Sequence, residues 1–111
     1  DVISPACFGR VEEKSTFEFV GNGGFWSAAP YFVIMNTYTY ADEAVFLHKY
    51  TVVEPDRVRD SYNWIQCYDP DGLGDLFAAH GLRVVETLGN VAGDAYDADA
   101  PEFAVIAEKA G

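Results

Sequence analysis

Positive charge is what this sequence most lacks. Lys and Arg together number 7 against 18 Asp and Glu, a formal net charge of -11. The basic footprint that phosphate backbones and anionic membrane surfaces require is therefore missing, which excludes nucleic-acid binding and argues against membrane association. Long apolar runs are missing too, since no stretch approaches the roughly 20 apolar residues of a membrane-crossing helix. Cysteine is scarce: Cys7 and Cys67 stand far apart, neither with a second Cys or a His at ligand spacing. That pattern argues against a zinc site and against a disulfide-dense secreted scaffold, and the expected setting is reducing and cytoplasmic. A single Cys7 to Cys67 bridge stays open, because spacing alone does not test geometry. The opening Asp1-Val2-Ile3-Ser4 has neither Met nor a basic-then-apolar leader. The expectation is a piece of a longer protein without a signal peptide.

What the chain has in abundance is apolar and aromatic surface. Half of its 111 residues are hydrophobic, with 8 Phe, 7 Tyr and 2 Trp. That is enough for one domain with a sizeable core and too little for two full ones. Residues 1–13 read as a short helix or loop. Over 14–20, Thr16 and Glu18 alternate with Phe17 and Phe19 as in a strand, and Gly21-Asn22-Gly23-Gly24 breaks the pattern as a turn. Residues 31–40 and 44–54 are two strand-compatible runs separated by Ala41-Asp42-Glu43, a long antiparallel hairpin. After Pro55-Asp56 alternation resumes over 57–68, with Tyr62, Trp64 and Gln66 on one face and Asn63 and Ile65 on the other. Asp69 as a cap, Pro70 at the first helical position and Leu73, Leu76, Phe77 and His80 at helical spacing predict a helix over 70–80, stopped by Gly81. Residues 82–88 and 103–109 read as a closing strand pair. The expected class is α+β with a mostly antiparallel sheet and one main helix.

Aromatic density over 25–68 is the most informative local feature. Phe25, Trp26, Tyr38, Tyr40, Tyr50, Tyr62 and Trp64 are candidates for the apolar wall of a substrate pocket, with Gln66 and Asn63 as polar orienting groups. For any one of them, packing on strand neighbours is the plainer reading. His48, in an otherwise apolar strand, is a weak candidate for a general base, since an ordinary imidazole pKa of about 6.5 suits that work. A hydrogen-bonded structural role is favoured for it. For His80 the helix-dipole role is favoured more strongly. Asp94, Asp97, Asp99 and Glu102 lack the ladder of a calcium loop and read as a solvated loop, so no metal site is expected.

One ordered series of residues is familiar. Tyr68-Asp69-Pro70-Asp71-Gly72-Leu73 opens a helix, Ala79-His80-Gly81-Leu82-Arg83-Val84 closes it into a strand, and Phe103-Ala104-Val105-Ile106-Ala107-Glu108-Lys109 ends the chain. This resembles the C-terminal portion of a class I S-adenosylmethionine-dependent methyltransferase, a Rossmann-like family. There the last helix commonly ends in an Ala-Gly-Phe-like step, replaced here by His80-Gly81-Leu82. Asp1-Val2-Ile3-Ser4-Pro5 resembles the exit of the family's core strand, and residues 14–68 resemble an inserted antiparallel substrate lobe. The resemblance thus divides the one expected domain into segments 1–13, 14–68 and 69–111. It also implies that Gly93, Asp94 and Tyr96 lie at the end of the sheet where substrate is held. The family's Gly-rich turn and acidic residue for the cofactor have no counterpart, because Gly21–Gly24 leads into Phe25-Trp26 and not into a helix.

These readings converge on the substrate-binding portion of a small-molecule methyltransferase. S-adenosylmethionine is its cofactor in the full-length context, none is expected for this chain alone, and the piece is expected to be inactive. Two other readings stand beside it. One is a free-standing module with an aromatic-lined cavity for a small ligand. The other is a protein-interaction domain, including a homodimer through an exposed sheet edge. A Gly-rich strand-turn-helix encoded upstream of Asp1 would distinguish the first from the others.

Overall fold

A computed structural model describes all 111 residues, which form two compact units, 1–11 with 66–111 and 12–65. The class is α+β with antiparallel sheets, as the pattern implies.

In the first unit, two Pro-containing caps fix where helices begin. Strand β1 (Val2–Ile3) is followed by Ser4, whose extended backbone and side chain cap the single-turn helix α1 (Pro5–Phe8), with Pro5 where the missing N–H costs nothing. Ser4 is buried, and its hydroxyl donates to the carbonyl of Ala100 at 2.5 Å. The stretch read as a short helix or loop is thus a strand followed by a helix. Asp69 caps α2 (Pro70–Ala79) by accepting from the Gly72 N–H at 2.6 Å, and Pro70 occupies its first turn. The helix ends at Ala79 with His80 as its C-terminal cap. Gly81 follows at φ +76, a left-handed conformation that glycine adopts without steric cost.

Strands β6 (Leu82–Leu88) and β7 (Glu102–Lys109) form the closing antiparallel pair. The strands of the second unit are β2 (Ser15–Val20), β3 (Tyr31–Tyr40), β4 (Val45–Val53) and β5 (Val58–Gln66), the last residue of which, Gln66, is counted with the first unit. Strand β7 lies between β1 and β6, pairing Val2 with Phe103 on one side and Leu88 with Ala104 on the other. Register slips between Val84 and Glu86, leaving Val85 half exposed at a bulge. Phe103 is fully buried, and with Ala104, Cys67, Leu73 and Ser4 it makes the core of this unit. Cys7 and Cys67 are free thiols, and burial raises the pKa of Cys67 with a further contribution from Cys7.

The second unit is one antiparallel sheet in the order β2-β3-β4-β5. Its register is unbroken from Ser15 opposite Asn36 to Val20 opposite Tyr31, and from Phe32 opposite Val53 to Tyr40 opposite Val45. The β3–β4 connection is a single 3-10 turn, Ala41–Glu43, followed by Ala44 in the left-handed region at φ 52. Because side chains alternate, the register assigns every residue to one of two faces. Val33, Met35, Thr37, Phe46, His48, Tyr50 and Val52 share one face with Thr16, Glu18 and Val20. Phe17, Phe19, Phe32, Ile34, Tyr38, Tyr40 and Leu47 share the other.

Candidate functional site

On the first of these faces the sheet carries a groove of about 670 Å³, within the usual range for small-molecule sites. Thr16, Glu18 and Val20 of β2, Tyr31, Val33 and Met35 of β3, and Tyr50 of β4 line it. Gly24, Phe25 and Trp26, from the connection between β2 and β3, complete its wall.

That connection is held in place by contacts far apart in sequence. The Gly24 N–H donates to the Ser27 carbonyl at 2.8 Å, closing a tight turn. Gly23 sits at φ +77 with the Ala28 carbonyl oxygen 2.6 Å from where a Cβ would be, so both backbone conformation and space require glycine. Trp26 stacks in a tilted arrangement on Tyr50 at 4.9 Å between centroids, and Phe25 meets Trp26 edge-on at 4.9 Å. The anchor is Glu54, at the end of β4. Its carboxylate accepts from Arg59 Nε at 2.8 Å, Arg57 Nε at 2.9 Å and Ser27 Oγ at 2.9 Å, and its side chain is only 6% exposed. Arg59 also donates to the Trp26 carbonyl. The hydrogen bonds from Arg59, Arg57 and Ser27, in that order, lower the Glu54 pKa to about 2. Sequence, turn chemistry and charge together thus fix a Trp indole against a Tyr ring.

His48 shares this face, two residues from Tyr50, but does not line the groove. Its Nδ1 lies 2.9 Å from Oγ1 of the buried Thr37, and its ring lies between Phe46 at 5.3 Å and Tyr50 at 6.2 Å. Burial lowers its pKa, which favours the neutral ring. Here it satisfies a hydroxyl that would otherwise be buried without a partner.

The candidate aromatics divide between the two faces. Phe25, Trp26 and Tyr50 come together at the groove. Tyr38, Tyr40, Tyr62 and Trp64 lie on the opposite face, where Tyr40 packs on Trp64 at 5.6 Å and Lys49 sits 5.7 Å from the Tyr62 ring centre. Gln66 donates to the Cys67 carbonyl, and Tyr96 packs edge-on against Phe103; both belong to the other unit. Asn63 is exposed on β5. Tyr31, Met35 and Glu18 were not singled out by sequence reasoning. The signal that finds them is their alternation with Phe17, Phe19 and Phe32, once β2 and β3 are set in register.

In the acidic loop the carboxylates of Asp94 and Asp97 serve the loop itself. Asp94 accepts from Asn90 Nδ2 at 2.7 Å, and Asp97 accepts from the Asp99 N–H at 2.9 Å. Nowhere do three His, Cys, Asp or Glu side chains meet in a metal-binding group.

The glycines do not form a nucleotide-type cradle. Such a cradle aims backbone N–H groups at the ligand from a helix N-terminus. Gly21–Gly24 runs instead from β2 into the groove wall, with the Gly24 N–H already used. At the start of α2, the Gly72 N–H is taken by the Asp69 side chain.

No helix is long and apolar enough to cross a membrane. No family model and no curated protein sequence matches the chain. Its structure is similar to that of the CcbJ methyltransferase from Streptomyces caelestis, at a TM-score of 0.60 and 17% identity, over 98% of this chain and 44% of that one. The chain thus shares its fold with, and spans less than half the length of, a methyltransferase.

Proposed function

We propose that this chain is the substrate-binding portion of an S-adenosylmethionine-dependent methyltransferase, with the groove on the four-stranded sheet as its small-molecule site. The observation that carries the reading is the Trp26–Tyr50 wall, locked by Glu54 and Arg59 over a groove of small-molecule size. The fold likeness to part of a methyltransferase supplies the reaction class by analogy. In this reading Phe25, Trp26, Tyr31 and Tyr50 exclude water from the bound molecule and orient it, the contribution that positioning and desolvation make to methyl transfer. The cofactor supplies the methyl group, and residues outside this sequence hold it. His48 acts through Thr37 and Tyr50 as a positioning residue.

Met35 is the only methionine and lines the groove, which makes it a single-signal reporter. In the chain carrying a 13C-labelled Met methyl, small aromatic molecules are expected to shift that signal saturably, and Trp26→Ala is expected to weaken the effect about tenfold. A Met35 signal that no such molecule moves would rule the groove out as the site.

A second reading is favoured by one observation. The opposite face exposes Phe17, Phe19, Phe32, Tyr38, Tyr40, Val58, Tyr62 and Trp64 together. Among the strand residues of that face, only Lys49 and Asp60 are charged in a chain of net charge -11. An apolar face this free of charge suits a second copy of itself. Sedimentation velocity is expected to show a concentration-dependent dimer that Trp64→Glu converts to monomer. A wild-type monomer at every concentration would remove this reading.

A further inference from the structure

The groove's polar content is sparse and of one sign. Five aromatic residues, Phe17 at its edge with Phe25, Trp26, Tyr31 and Tyr50, line it together with Met35, and Glu18 is its one ionisable carboxylate. Glu18 makes no hydrogen bond or ion pair, in contrast to Glu54, whose carboxylate is fully engaged. It lies exposed on the groove face of β2 with Thr16 and Val20, opposite Val33. The guanidinium of Arg59 does not line the groove: it is committed to the Trp26 carbonyl and to Glu54, whose carboxylate it shares with Arg57.

A site made of aromatic faces and one uncompensated carboxylate is selective. Ring quadrupoles and a carboxylate both attract a positive charge, and both disfavour an anion. A weakly hydrated organic cation gains from the two at once. A metal ion would need several oxygen ligands that the groove does not offer. The chain's net charge of -11 adds a long-range field of the same sense.

We propose that the groove recognises an organic cation, a small molecule carrying a protonated amine or alkylammonium group, with the cationic head held between Glu18 and the Trp26–Tyr50 wall. This inference rests on the groove being the small-molecule site proposed above, and it adds the charge of the molecule bound there.

The test pairs choline with its neutral isostere 3,3-dimethylbutan-1-ol, titrated into the intact 15N-labelled chain while both Trp indole N–H signals are followed. Trp26 reports the groove, and Trp64, on the opposite face, is the internal control. Choline is expected to shift the Trp26 signal saturably and leave Trp64 unmoved, with the isostere binding about fivefold more weakly or less. Glu18→Gln, a change at an exposed side chain, is expected to weaken choline about fivefold and leave the isostere unchanged. Equal affinity for choline and the isostere, or no effect of Glu18→Gln on choline, would overturn the cation assignment while the groove remains a site. If neither probe moves Trp26, the assignment and the groove reading both fail.

Discussion

Glu54 shows how one side chain can hold a binding surface together. Three donors converge on it, and through Arg59 and Ser27 it fixes a connection that lies about 30 residues earlier in the chain. The consequence for pH follows from the direction of its shift. A carboxyl whose pKa falls from 4.5 unfolded to about 2 folded stabilises the native state above pH 4.5, and loses that contribution as pH falls toward 2. His48 acts in the same sense at higher pH. Its folded pKa lies below 6.5, so the unfolded chain takes up the proton first and stability declines as pH drops below 6.5. The thermal midpoint is therefore expected to fall on acidification from pH 7. The part of the fall below pH 4.5 should shrink in Glu54→Gln, and that variant should also weaken groove ligands at pH 7. A midpoint that rises between pH 7 and pH 5, or a Glu54→Gln variant with the wild-type acid profile, would contradict this.

Among the elements, strands and caps were legible in the sequence and the groove was not. Alternation marks β2 and β5, continuous runs of strand-compatible residues mark β3 and β4, and Asp69-Pro70 and Gly81 mark the ends of α2 through backbone chemistry local to a few residues. The placement of Phe25 and Trp26 depends on Glu54 and Arg59, contacts that no local pattern encodes. The grouping of Tyr50 with Trp26, and of Tyr40 with Trp64, depends on cross-strand register, which the separate strands do not reveal. The β3–β4 connection carries one unfavourable choice. Ala44 occupies the left-handed region, where a Cβ costs about 1 kcal/mol. Ala44→Gly removes that strain and adds some freedom to the unfolded chain. The expected net gain is about 0.5 kcal/mol, read from urea denaturation. A loss of stability would show that the Ala44 side chain makes packing contacts worth more than the strain.

At the scale of the whole molecule, the scarcity of positive charge bears on the groove as well. Glu18 is the one charged residue lining the groove, and Lys49 and Asp60 are the only charged strand residues of the opposite sheet face. The fold is that of part of a methyltransferase, and the glycine-rich turn, which in sequence could be weighed as a cofactor loop, is built into the groove wall instead. Division of labour between a substrate portion and a separate cofactor portion is the central claim, and calorimetric titration of the isolated chain with S-adenosylmethionine, followed by a methyl-transfer assay on groove ligands, tests it most directly. The expected result is no binding at micromolar cofactor and no transfer. Micromolar binding together with methylation by this chain unaided would contradict it.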